Sequence, residues 1–152
     1  MHVRKQEGFT LIELLIVIAL IAVLAGAVII ALNPARQFQQ ARDSERWSHV
    51  SAIAGAITQN ITENKGVWTC SNQGATTLPA SSTRIASAGG INLCSCLVPN
   101  FTAALPYDPS NGNYTDCSSY DTGYSVSRDA ATGRVTVSAV GEVSTSSISV
   151  TQ

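Results

Sequence analysis

The sequence predicts an α+β protein: a long N-terminal α-helix, apolar in its first half and amphipathic in its second, packed on a small antiparallel β-sheet head. Three observations carry this. Residues 9–32 are an almost unbroken apolar run. Beyond them apolar residues recur at three- and four-residue steps as far as Ile61, the period of a helix with one buried face. Near the C-terminus apolar and polar residues alternate on both sides of a Gly-containing turn, the period of a half-buried hairpin.

The 152 residues suit one globular domain behind the helix. Composition divides them into a short leader (1–8), the apolar segment (9–32), its amphipathic continuation (33–66) and a β-rich head (67–152). Charged residues are 12% of the chain and the net charge is −1, so no nucleic-acid binding built on bulk positive charge is expected. In the head Arg84, Arg128 and Arg134 are outnumbered by Asp108, Asp116, Asp121, Asp129 and Glu142. DNA binding there needs a local patch.

The first eight residues read MHVRKQEG, and Arg4 and Lys5 hold such a leader on the cytoplasmic side. The following run is broken only by Thr10, Glu13 and Gly26. As a helix it spans roughly 36 Å, enough for a hydrocarbon core of about 30 Å. An ordinary signal peptide, cut near Ala25-Gly26-Ala27, is one reading; a plain anchor and a buried soluble helix are others. Glu13 argues against the first two, and the length and apolarity of the run argue against the third. An acid inside an apolar membrane segment is costly and marks function by default.

The basic leader, Gly8, then Phe9-Thr10-Leu11-Ile12-Glu13 and the long apolar helix closely resemble the class III signal of type IV prepilins and pseudopilins. The resemblance covers the first 32 residues without a gap. It implies a pilin-like fold and no cofactor. A prepilin peptidase cuts such chains between Gly8 and Phe9 and N-methylates Phe9. The apolar helix then stays on the mature chain, first in the inner membrane and later in a helical filament of identical copies on the cell surface. Its other partners are the pilus assembly platform and motor ATPases. In that filament Glu13 pairs with the Phe9 amine of a neighbouring copy and sets the register, because a bare carboxylate in an apolar core is expensive.

Asn33-Pro34 follows. Either Asn33 caps a new helix after a break, or one continuous helix kinks at Pro34; the resemblance favours the kink. Family members often carry a proline within the apolar half. None precedes Pro34 here, so any local melting on assembly falls to Gly26 or Pro34. Arg36, Arg42, Asp43, Glu45 and Arg46 read as a mixed, solvated charged surface, or as a contact for neighbouring subunits or lipid headgroups. The stretch Ala41–Arg46 resembles the charged patch that follows the apolar segment in pilins. Trp47, Val50, Ile53, Ala54, Ile57 and Ile61 form the stripe that packs on the head, and Gly66 stops the helix.

Cys70, Cys94, Cys96 and Cys117 suggest two disulfides in an oxidising compartment. A bridge between Cys94 and Cys96 is strained, which favours outward pairs with Cys70 and Cys117 and leaves their connectivity open. No CxxC pair or nearby His suits zinc. Loops are expected at 71–74, 88–90 and 108–113, a short strand near Ile91–Val98, a hairpin with arms Tyr124–Arg128 and Arg134–Ala139, and a third strand at Ile148–Val150. Leu105–Pro109 resembles a loop of pilins and major pseudopilins, and in the latter a nearby loop binds calcium. Asp108, Asn111, Asn113, Asp116 and Asp121 offer oxygen ligands, but the spacing is not that of an EF-hand, and a plain turn-rich surface is the simpler reading.

No catalytic motif is present: no G-x-S-x-G, no phosphate loop and no His placed beside a nucleophile. The sequons at Asn60, Asn100 and Asn113 carry little weight, and composition alone does not make the Ser/Thr-rich tail 144–151 a site for O-glycosylation. The expected function is structural: a pilin, most simply a major one, for adhesion, twitching motility or DNA uptake. The rivals are a pseudopilin of a type II secretion system and a membrane-anchored binding protein that never polymerises.

Overall fold

The computed structural model describes residues 8–70, 77–143 and 147–152. The leader residues 1–7, the loop at 71–74 and tail residues 144–146 lie outside them. The chain divides into two units, Met1–Phe38 and Gln39–Gln152.

In the first unit, helix α1 runs Leu11–Leu32. Thr10 starts it: its backbone is extended and its hydroxyl accepts the Glu13 N–H at 3.3 Å. The apolar side chains are exposed on every side, among them Leu11 (89%) and Leu24 (65%). Leu11–Ile30, 20 residues, is long and apolar enough to cross a membrane. Asn33 ends the helix in the left-handed conformation, φ 40°, ψ 76°, and α2 begins at Pro34. The Asn33 carbonyl accepts the Arg36 N–H at 3.1 Å, and Pro34 has no N–H to satisfy. The chain therefore breaks at Asn33 and starts a new helix, rather than kinking within a continuous one.

Helix α2 runs Pro34–Glu63. In the second unit its Val50, Ile53, Ala54 and Ile57 are buried, and Ile61 is half-buried against the core. Trp47, expected on that stripe, is 50% exposed. The helical period explains it: Trp47 falls about 60° to one side of Val50, whereas Arg46 falls about 40° to the other, nearer the stripe's centre. The helix stops in a Schellman motif, with Gly66 N–H on the Ile61 carbonyl at 2.8 Å and Lys65 N–H on that of Thr62 at 3.3 Å. These bonds make Lys65 the residue that a Schellman stop needs left-handed, and it is, at φ 58°; Gly66, one position on, is also at positive φ.

The head is a five-stranded antiparallel sheet. Strands β1 (Thr83–Ala86), β3 (Ser119–Arg128), β4 (Val135–Val140) and β5 (Ser147–Thr151) lie in that order, and β2 (Asn113–Asp116) also pairs with β3. The expected hairpin is β3–β4, with Val126 opposite Val137, and the expected third strand is β5, with Ile148 opposite Ala139. Alternation puts Tyr120, Tyr124 and Val126 of β3 and Val135, Val137 and Ala139 of β4 in the core, with Ile53 and Ile57 of α2. The strand expected near Ile91–Val98 is not formed. Ile91 makes one isolated bridge to Ile85, and Cys94–Leu97 coil into a single helical turn, α3. The buried Tyr120 hydroxyl takes the N–H groups of Leu93 and Cys94, at 3.0 and 3.2 Å, that a strand would have offered to a neighbour.

Two disulfides staple the loops, Cys70 to Cys96 and Cys94 to Cys117. Asn60, the first of the three sequons, is buried, and its amide is bonded twice to the Thr69 backbone.

Candidate functional site

Gly8, Phe9 and Thr10 precede the first turn of α1 in non-helical, exposed backbone. Phe9 is 84% exposed, and nothing lies within 4 Å of where a Gly8 side chain would begin. The Gly8–Phe9 bond is thus accessible and outside the helix. Glu13 is the third residue of α1, its acid beside the positive end of the helix dipole. Thr10-Leu11-Ile12-Glu13 is the T-x-x-E pattern of a capping box, and its forward half is made, Thr10 hydroxyl to Glu13 N–H. The pattern was legible in the sequence and bears on Glu13: the cap fixes the first turn, and so the direction in which the acid leaves the helix.

The second cluster lies at the start of the head. Arg46 is 1% exposed although it belongs to the run expected to be solvated. Its guanidinium forks onto Asp108, Nε to Oδ2 at 2.6 Å and Nη2 to Oδ1 at 3.0 Å. It also reaches Asp43 Oδ1 and Glu142 Oε1, each at 2.7 Å. Arg42 holds both oxygens of Glu142 from its Nε at 3.0 Å. Asp43 accepts the backbone N–H groups of Glu142 and Val143, at 2.9 and 3.0 Å. Three residues of the expected surface thus clamp α2 to the loop after β4 and to the Asp108 turn. Asp108 and Glu142, the partners, could not be picked from the sequence, since they lie 62 and 96 residues from Arg46.

The turn is built to aim Asp108. Its carboxylate accepts the N–H groups of Ser110 and Asn111, and its backbone N–H bonds the Thr122 carbonyl. Gly123 is left-handed at φ 77°, and a side chain there would begin 2.7 Å from the Asp108 Cβ. Burial pushes the Asp108 carboxyl up, but the Arg46 guanidinium and the two turn N–H groups outweigh it and hold the acid below the usual carboxylate range. Arg42, then Arg46 and Ser110, hold Glu142 down as well. Asp43 is pushed up by burial and brought below the usual range by the Val143 and Glu142 N–H groups and Arg46. Asp108, above all, raises the Arg46 guanidinium in return.

The calcium candidates do not converge. Asp108 is engaged by Arg46. Asp121 is held by Arg84 Nε at 2.7 Å, and Asp116 closes its own turn through the N–H groups of Ser118 and Ser119. Among the described residues no three His, Cys, Asp or Glu side chains are grouped to hold a metal ion.

Comparison with known proteins places these features. The family model of the prokaryotic N-terminal methylation motif matches residues 3–29. A fimbrial protein, EcpC of Eikenella corrodens, is 45% identical over 74 residues, which are 47% of this chain and 45% of that relative. The chain thus matches less than half the length of that curated relative. No solved structure matches significantly. Residues 3–29 thus carry the prokaryotic N-terminal methylation motif, with the exposed apolar helix running through and beyond it, and the chain is similar in part to a fimbrial protein.

Proposed function

We propose that the chain is the precursor of a structural, non-catalytic filament subunit. Prepilin peptidase cuts it between Gly8 and Phe9 and methylates Phe9. It waits in the inner membrane and then polymerises through α1 into a type IV pilus. One observation supports this above the others: a 20-residue apolar helix whose side chains are exposed all round, with an acid in its first turn. Such a surface needs lipid or other copies of itself around it. The acid needs a cation once water is gone, and the new Phe9 amine of a neighbour supplies one. The assembly platform and motor ATPases are the partners this implies.

A major pilin is preferred to a pseudopilin of a type II secretion system because the two head disulfides suit long exposure outside the cell. Asp108 and Asp121, the loop acids that a calcium-bound pseudopilin loop would use, are already paired with Arg46 and Arg84. Adhesion, twitching motility and DNA uptake all remain compatible tasks. The test is intact mass and N-terminal sequencing of material sheared from cells. Long filaments whose subunits start at N-methyl-Phe9 support the pilin. The same start confined to the cell envelope supports the pseudopilin, and a start near Val28 sinks both.

A further inference from the structure

We infer that Arg36 anchors the chain to anionic phospholipid headgroups at the outer end of the apolar helix. The inference rests on the reading of α1 as membrane-spanning. The sequence offers five charged residues after the apolar run, and the structure sorts them. Arg46 is buried on Asp108 and Glu142, and Arg42 is committed to Glu142. Asp43 is taken up by Arg46 and two backbone N–H groups, and Glu45 faces His49 at 3.7 Å. Arg36 is exposed, and its side chain has no ion pair among the described residues; only its backbone N–H is bound, by Asn33. A charge cluster that looked uniform thus leaves one cation free, and it is the one nearest the membrane.

Depth agrees with this. Leu11–Ile30 covers about 30 Å at the helical rise, the thickness of a hydrocarbon core. Arg36 follows six residues later, in the first turn of α2 beyond the break at Asn33, so about 9 Å of helical rise separates it from Ile30 when the two helices run on in line, and less when they bend. The headgroup layer is about 5–8 Å deep on each side. A long arginine side chain reaches back across the difference while keeping its charge in the polar layer. The guanidinium fork matches a phosphate.

The test uses the full chain in bilayer discs of equimolar phosphatidylglycerol and phosphatidylcholine. The lipids retained on gentle release are counted by native mass spectrometry for wild type, R36Q and R42Q. Arg4 and Lys5 are present in all three, so their attraction cancels. The retained phosphatidylglycerol-to-phosphatidylcholine ratio is expected to fall about five-fold in R36Q, the equivalent of about 1 kcal/mol per interfacial cation, and to hold in R42Q. An unchanged ratio in R36Q, as when Arg36 meets a carboxylate of a second copy instead, overturns the inference. So does an equal fall in R42Q. Alkaline extraction is run in parallel: a wild-type chain that leaves the membrane overturns the membrane reading itself, independently of Arg36.

Discussion

Arg46 and Asp108 meet as a two-pronged ion pair inside the head, at 2.6 and 3.0 Å, both nearly sealed from solvent. The pair joins α2 to the turn ahead of β2, and the loop after β4 is drawn to it through Glu142. Such a pair adds little net stability when whole, because its charges were costly to desolvate. Half of it is a liability. Replacing Arg46 by Met leaves the buried Asp108 carboxylate without its cation, held by the Ser110 and Asn111 N–H groups. The expected loss is about 3–5 kcal/mol, read from urea unfolding of the disulfide-intact chain in detergent with the buried Trp68 as probe. A loss below about 1 kcal/mol shows that Asp108 is resolvated and that the clamp is dispensable.

Acid should loosen the same clamp. Asp43, Asp108 and Glu142 are all held below the ordinary carboxylate range when folded. A depressed acid contributes stability that is present above its unfolded value, near pH 4, and lost as pH falls toward the folded value. The urea midpoint is therefore expected to be flat from about pH 7 to pH 5 and to drop below about pH 4. D108N should be less stable throughout and should show a shallower drop. A midpoint that rises on acidification contradicts the assigned sign.

Lys65 is a left-handed residue at φ 58°, next to the end of α2, where glycine bears no side-chain penalty. Lys65→Gly keeps both Schellman hydrogen bonds and removes that strain. A gain of about 0.5–1 kcal/mol is expected in the same urea titration. It should be accompanied by slower amide exchange in the last turn of the helix. Destabilisation by Lys65→Gly would mean that the lysine side chain itself holds the helix end.

The disulfides close loops with separations of 26 and 23 residues. Loop-closure entropy assigns each about 3.5 kcal/mol, though the loops overlap at Cys94 and Cys96, so the two are coupled. Paired Ser substitution of Cys70 and Cys96 should lower stability by about that amount. Substituting all four should cost less than twice as much, and a strictly additive result would show that the overlap does not matter.

What the sequence revealed and what it hid follow from the range of the interactions. The apolar run of α1, the stripe Val50–Ile57 and the β3–β4 hairpin are local periodicities, and each stands where the pattern put it. The one-turn helix at Cys94 was hidden because its cause, the Tyr120 hydroxyl, lies 26 residues away. Arg46 was hidden for the same reason. Read locally, it is one charge in a charged run, and only residues 62 and 96 positions later make it a core residue. Trp47 and Arg46 in effect exchange the roles that their polarity suggested. The break at Asn33 sat between two admissible local readings, and the left-handed backbone chose between them.

Glu13 and Thr10 give a last prediction, which separates insertion from assembly. Glu13→Ala removes an acid from a helix that must sit in lipid, so membrane insertion should be unchanged or improved. On the proposed reading, filaments need the acid to neutralise the amine of a neighbour's Phe9 in an apolar core, where an unpaired charge costs several kcal/mol. Sheared filament protein should therefore fall by ten-fold or more, the equivalent of about 1.4 kcal/mol per subunit contact, while precursor cleavage at Gly8 continues. Thr10→Ala acts differently: it deletes the cap, costs about 1 kcal/mol in the first turn and lets the acid wander. It should lower filament yield less than Glu13→Ala does, and the double variant should lose no more than Glu13→Ala alone. Normal filaments from Glu13→Ala would show that the acid serves something other than register.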